Sequence, residues 1–170
     1  MKKIPLTQGK FTLVDDDDYD YLSQWKWYAT LIDGTFYAER NGKLGEPTKI
    51  KMHRVILGTE KGFLVDHRDG DGLNNRKDNI RSCTHTENAR NRRLQYNSFS
   101  GYKGVSWHKK SKKWRSRITV DGKLIRLGSF FCLIKAAKAY DKAAKKYHGK
   151  FANINFPTAT ECKLNNGETP

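Results

Sequence analysis

The chain has 170 residues and a formal net charge of +15 at pH 7, with 33 Lys/Arg against 18 Asp/Glu and only 36% hydrophobic residues. That length holds one medium domain or two small ones, and the composition excludes one large apolar core. Four Trp, eight Tyr and eight Phe exclude a wholly disordered chain, because such rings are the material of small cores.

The charge is unevenly placed. Residues 1–50 carry 7 Lys/Arg against 8 Asp/Glu, whereas residues 51–170 carry 26 against 10. A basic C-terminal two-thirds suggests a polyanion-binding surface. Cys83, Cys132 and Cys162 are odd in number, widely spaced and never arranged as C-x-x-C, which argues against a disulfide framework or a zinc ribbon. No run approaches the roughly 18 apolar residues of a membrane helix. The opening Met-Lys-Lys-Ile-Pro-Leu lacks a hydrophobic signal core, so an intracellular, cytoplasmic protein with no membrane partner is expected.

In chain order, residues 10–14 alternate like a short strand, and Asp15–Asp18 cap a helical turn running to Leu22. The acidic run lacks the spacing and glycine of a calcium loop and reads as a solvated helix start. Trp25–Ala29 and Thr35–Arg40 read as paired strands joined through an Asp33-Gly34 turn. Lys49–Gly58 reads as a strand end running into a short helix that stops at Gly58.

Phe63–His67 is expected to be a strand that delivers Asp66 and His67 at its end. Residues 68–78 form a polar loop in which Asp69-Gly-Asp-Gly72 is turn chemistry, and Ile80–Thr84 is the returning strand. Thr84-His-Thr-Glu87 fits a capping box, which puts Asn88 about one turn into a helix directed toward Arg93. A hairpin followed by a helix results, with its polar residues gathered between them. Such side chains can assemble one divalent ion and one imidazole base, enough to hydrolyse a phosphodiester.

This segment resembles the ββα-metal nucleases of the HNH class, particularly phage and intron homing endonucleases. The resemblance implies that Asp66 and Asn88 are metal ligands, that His67 is the general base and that Asn79 orients it. The spacings, twelve residues from His67 to Asn79 and nine on to Asn88, suit the pattern. Hard oxygen ligands suit one Mg²⁺ or Mn²⁺ ion, and a neutral imidazole near its ordinary pKa takes a proton from water. Products with a 5′-phosphate and a 3′-hydroxyl are implied. The family's usual second His is absent from the helix, and Asn88 stands in its place. His85 is expected at the surface, and His53 is expected to pack.

A second module begins near Ser100-Gly101, after a polar stretch at 95–100 suited to a linker. Gly104–His108, Lys113–Val120 and Lys123–Leu127 read as strands, with Asp121-Gly122 as a hairpin turn between the last two. Leu133–His148 is an amphipathic helix whose Ala and Tyr residues take one face and whose Lys residues take the other. Asn153–Phe156 is expected to pack back, and residues after Pro157 to form a loose tail.

Residues 101–156 resemble the Apetala/ethylene-response-factor DNA-binding domain of plants. The likeness rests on Tyr-Lys-Gly-Val105, Trp114, Leu-Gly128 with Phe130, Ala-Ala-Lys-Ala-Tyr-Asp141, Ala-Ala144 and Asn-Phe156. It implies a three-stranded sheet lying in the major groove with a helix behind it. By alternation Arg115, Arg117 and Thr119 share one strand face, and with Lys103, His108, Lys113 and Arg126 they are the expected groove contacts. Arg90, Arg92 and Arg93 are expected to grip backbone near the cut, with Arg68, Arg76, Lys77 and Arg81 as weaker candidates.

The expected fold is therefore α+β. It comprises a small mixed, β-rich supporting region (1–50), an HNH ββα-metal nuclease module (51–94) and a linker (95–100). A three-stranded antiparallel sheet on one helix (101–157) and a flexible tail (158–170) follow. The expected function is a site-specific, metal-dependent endonuclease acting on double-stranded DNA, a homing enzyme of a phage or mobile element working in a bacterial or phage-infected host. A monomer or weak dimer without a protein partner is expected. The alternative is a non-cleaving DNA-binding regulator with a degenerate HNH scaffold, against which the intact set Asp66, His67, Asn79 and Asn88 argues.

Overall fold

The structure is a computed structural model that describes residues 1–92, 94 and 98–157. Arg93, the first half of the expected linker (95–97) and the expected tail lie outside the described residues. The chain divides into two compact units, the first Met1–His85 and the second opening at Thr86. The architecture is α+β, as the sequence leads one to expect.

In the first unit β1 (Lys2–Pro5) pairs antiparallel with β2 (Phe11–Val14). Helix α1 (Asp16–Leu22) places three Asp residues in its first turn, where they meet the positive end of the helix dipole. β3 (Tyr28–Ile32), β4 (Thr35–Asn41) and β5 (Lys49–Lys51) form an antiparallel sheet in that order. Asp33 and Gly34 both take positive φ (48° and 79°), the twist that a two-residue hairpin requires. The strand expected from Trp25 begins only at Tyr28, because the Trp27 indole N–H donates to the Leu22 carbonyl (2.8 Å) and ties that stretch to the end of α1.

Helix α2 (Met52–Leu57) follows β5 directly and ends at Gly58, whose left-handed backbone lets the next N–H groups return to the last carbonyls. β5 pairs with β4 across the expected boundary at residues 50 and 51. β6 (Leu64–His67) and β7 (Ile80–Cys83) form the hairpin, and α2 packs against both β4 and β7. Ile4, Val14, Leu22, Trp27, Ala38 and Met52 make the core. Full burial of a side chain such as Leu22 or Met52 contributes about 1.5–3 kcal/mol.

Nearly all of helix α3 (His85–Asn91) lies in the second unit. There β8 (Val105–His108), β9 (Lys113–Val120) and β10 (Lys123–Phe130) form an antiparallel sheet with β9 at its centre. β10 runs three residues beyond the expected Leu127 after a register shift between Arg126 and Gly128. Helix α4 (Leu133–His148) lays Ala136, Ala137 and Ala144 against this sheet, each fully buried. Close approach also governs Gly104, where any side chain would collide with the Tyr140 ring. The segment after α4 returns to it, since the backbone N–H groups of Asn155 and Phe156 donate to the Asp141 carboxylate (2.8 and 2.9 Å). No described helix is long and apolar enough to cross a membrane.

Candidate active site and nucleic-acid interface

β6 delivers Asp66 and His67 at its last two positions, and both are 5% exposed. Neighbours on a strand face opposite ways, so each meets a different partner. Asp66 lies opposite Arg81 in the β6–β7 register, and the guanidinium donates to its Oδ2 through Nε (2.8 Å) and Nη2 (2.6 Å). The two form a buried ion pair.

His67 lies against Asn75, with 3.1 Å between Nε2 and the amide oxygen Oδ1. The hydrogen-bond chain behind Asn75 fixes which nitrogen of His67 carries the proton. The Leu73 carbonyl can only accept, so the Thr12 hydroxyl must donate to it (2.7 Å). Thr12 Oγ1 then accepts from the Asn75 amide nitrogen (2.8 Å), which turns Oδ1 toward the imidazole. An oxygen there accepts from Nε2–H, so the neutral ring holds its lone pair on Nδ1. β2 supplies this anchor, and the Asn75 N–H also donates to the Leu13 carbonyl (2.9 Å).

Asn79, expected to orient His67, is fully buried and makes its side-chain hydrogen bonds within the loop instead. Its amide nitrogen donates to Asp69 Oδ1 (3.0 Å) and to the Asn74 carbonyl (2.8 Å), while its Oδ1 accepts from the Asp69 backbone N–H (3.2 Å). Asp69 also receives Asp71 N–H and the Asn74 amide, as turn chemistry requires. The acidic run has a second duty besides starting α1. Asp15 accepts from the Lys77 N–H (2.7 Å), and Asp18 pairs with the Lys77 ammonium (2.8 Å). Arg76 pairs with Asp78, so the weaker DNA candidates Arg76, Lys77 and Arg81 each hold an acid of the first unit.

Burial pulls the His67 pKa below the ordinary histidine value, partly opposed by the Asn75 contact and by Asp69, Asp66 and Asp71. His53 is buried as expected, and its ring stands edge-on to His67 with centroids 5.1 Å apart. Tyr37 flanks both rings. Burial, then the neighbouring His67, pushes His53 down to about 2, so it is neutral at any working pH.

Asn88 sits half-buried in α3, within the second unit, and His85 at the start of that helix is exposed. Among the described residues no three His, Cys, Asp or Glu side chains form a metal cluster. In the first unit the hard donor is the Asp66 carboxylate, whose Oδ2 also receives Arg81. That chemistry fits a hard divalent ion that keeps most of its coordination for water and phosphate.

In the second unit Arg115, Arg117 and Thr119 are exposed on β9, while Ser116 and Ile118 between them are buried. Arg126 is exposed directly opposite Arg117. Like charges so placed repel, and among the described residues neither has a carboxylate partner. A polyanion would relieve that repulsion. The other expected contacts have local partners. His108 Nδ1 accepts from the Ser111 N–H (3.2 Å), the Lys113 ammonium lies over the Phe131 ring (4.4 Å), and Arg90 pairs with Asp121 (2.9 Å). Arg92 is exposed, and the Lys103 ammonium is turned onto backbone carbonyls.

The sequence reading passed over Asn75, Thr12, Asp15 and Asp18 as parts of the site. Asn74-Asn75 gives no periodic signal, and Thr12 reaches Asn75 across 63 residues of sequence.

Residues 51–90 match the HNH endonuclease family, and residues 100–150 match the AP2 domain family. Protein 3.8 of Escherichia phage T7 is 37% identical over 94 residues, which cover 55% of this chain and 77% of that protein. An uncharacterized HNH endonuclease of Acanthamoeba polyphaga mimivirus is 25% identical over 159 residues, covering 87% of this chain and 76% of that one. An AP2-like ethylene-responsive transcription factor of Arabidopsis thaliana is 40% identical over 67 residues, only 14% of its length. No solved structure matches the chain.

Proposed function

Because the chain belongs to the family of phage T7 protein 3.8 and joins an HNH endonuclease domain to an AP2 DNA-binding domain, we propose that it is a site-specific, metal-dependent DNA endonuclease. The observation that carries the reading is a buried, neutral His67 at a strand end beside Asp66, its tautomer set by Asn75 and Thr12. An imidazole held neutral, with a defined lone pair, is what a general base needs.

The unprotonated Nδ1 of His67 takes a proton from water as the water oxygen bonds to phosphorus. The bond from phosphorus to the 3′-oxygen breaks, and the leaving oxygen takes a proton from solvent. The phosphate stays on the 5′ end and a 3′-hydroxyl is left. Asn75 keeps Nε2 occupied, so the base acts through one nitrogen. Asn79 holds loop 68–79 closed around that ring. Asp66 and Asn88 would hold the Mg²⁺ or Mn²⁺ ion. When bound, it supplies Lewis-acid stabilisation of the crowded phosphate and the leaving oxygen.

The exposed face of β9 and β10, with Arg115, Arg117, Thr119 and Arg126, reads the duplex. One chain carries one His67, so a monomer nicks one strand. A homing role in a phage or mobile element suits a nuclease with its own recognition sheet.

The test is cleavage of plasmid and genomic-library DNA by wild type and His67→Ala, with Mg²⁺, with Mn²⁺ and with EDTA. Nicked product with 5′-phosphate ends is expected from wild type plus metal, with His67→Ala down about 10²–10⁴-fold and DNA affinity retained. Tight binding without cleavage under every condition would instead make the protein a DNA-binding regulator.

A further inference from the structure

Helix α3 is two turns long, and the carbonyls at its C-terminal end have no partner within the helix. Three successive carbonyls at and just past that end are received by Lys103 and Asn153 of the same unit. The Lys103 ammonium donates to the carbonyls of Arg90 (2.7 Å) and Arg92 (2.6 Å), and the Asn153 amide donates to that of Asn91 (2.9 Å). Lys103 is itself held in place. Its backbone N–H donates to Asn155 Oδ1 (2.7 Å), and its carbonyl accepts from the Asn155 amide. That amide also donates to the buried carboxylate of Asp141 on α4 (3.0 Å). The adjoining Gly104 is pressed against the Tyr140 ring. An ammonium at a helix C-terminus also opposes the negative end of its dipole.

We propose that Lys103 is a positioning residue for catalysis, fixing the end of the helix that carries Asn88. The proposal rests on the reading of Asn88 as a ligand. It changes the division of labour expected from the sequence, in which residues 101–157 bind and residues 51–94 cut. Burial and the neighbouring Arg92 charge bring Lys103 down to about 8, consistent with an amine turned inward onto carbonyls rather than outward to phosphate.

The experiment uses the full chain and three variants, Lys103→Met, Lys103→Arg and Asn88→Ala, each checked for folding by circular dichroism. DNA affinity is measured in EDTA, and the cleavage rate is titrated with Mn²⁺. Lys103→Met is expected to bind DNA within about twofold of wild type. It should need about 10-fold more Mn²⁺ for half-maximal cleavage and turn over about 10–100-fold more slowly. Lys103→Arg, which keeps donors and charge, is expected to recover most of both. Should Lys103→Met fail to fold, Asn153→Ala removes one cap from the same helix end and is expected to shift the Mn²⁺ curve the same way by a smaller amount. A wild-type Mn²⁺ curve with weakened DNA affinity would make Lys103 a phosphate contact and overturn the proposal. An inactive Asn88→Ala beside a wild-type Lys103→Met would sink this inference alone. Normal cleavage by Asn88→Ala would sink the ligand reading and the inference with it.

Discussion

The β6–β7 hairpin and the exposed face of β9 both carry dense polar side chains, but they use them in opposite ways. At the hairpin Asp66, His67, Asn75 and Asn79 are all nearly inaccessible, and each is engaged by another group of the protein. On the sheet Arg115, Arg117 and Thr119 stand exposed, and Arg117 faces another arginine. Catalysis needs one protonation state and one orientation, which burial and a closed hydrogen-bond chain impose. Recognition needs donors that are not already committed, because their partner is the nucleic acid.

Substitution of Asn75 should break the first half of that contrast hardest. Asn75→Ala removes the acceptor on His67 Nε2 and leaves the Thr12 hydroxyl without its donor, among three side chains that are each buried. Cleavage is expected to fall about 10–100-fold, as for partners that orient a reactive imidazole. Stability should fall by about 1–3 kcal/mol for the stranded polar groups. DNA affinity in EDTA should be unchanged. A variant that loses stability but cleaves at the wild-type rate per folded molecule would show that Asn75 is structural only.

The sheet face predicts the reverse pattern. Arg117→Ala relieves a like-charge pair with Arg126, so thermal stability should hold or rise slightly, within about 0.5 kcal/mol. Binding to the preferred site should weaken by about 1–3 kcal/mol if Arg117 reads a base. The loss would be smaller and alike on all sequences if it contacts phosphate only. A competition binding series against unrelated duplexes separates these outcomes. No change in either affinity would remove Arg117 from the interface.

Much of this contrast was legible before the structure. Period-2 alternation in Lys113–Val120 separates exposed Arg115, Arg117 and Thr119 from buried Ser116 and Ile118, because strand periodicity is local. Asp33-Gly34 and Asp121-Gly122 mark hairpins because both residues of each pair accept positive φ. The strand-loop-strand-helix order around Asp66 and His67 followed from the same kind of local pattern.

What was hidden depends on distant partners. Two asparagines of one loop, Asn75 and Asn79, have the same chemistry. Only Thr12, 63 residues earlier, makes Asn75 the one turned to the imidazole. Likewise nothing near α3 announces that Lys103 and Asn153 hold its end. The first fifty residues looked like mere support, yet Thr12, Asp15 and Asp18 fasten the loop that carries Asn75 and Lys77.

The smallest expected effect concerns proton uptake, and it too divides the two regions. The first unit buries the edge-on pair His53 and His67, both with depressed pKa values. The second buries one such ring, His148, where the Thr119 carbonyl opposes the effect of burial. The unfolded chain takes up a proton on His53 near its ordinary value of 6.5, whereas the folded chain does so only near 2. Protons therefore bind the unfolded state preferentially below about pH 6.5. Stability is complete above that pH and is lost as pH falls through it, by about 1.4 kcal/mol per pH unit for His53. Glu46, held down to about 2 by Arg40, adds its loss only below about pH 4.5, outside this window. Urea unfolding of wild type and His53→Phe at pH 7 and pH 5.5 isolates the His53 share. Wild type is expected to lose about 1 kcal/mol more than the variant over that interval. Parallel losses would mean that His53 is protonated in the folded protein, so that the imidazole beside His67 is a second cation rather than a neutral wall.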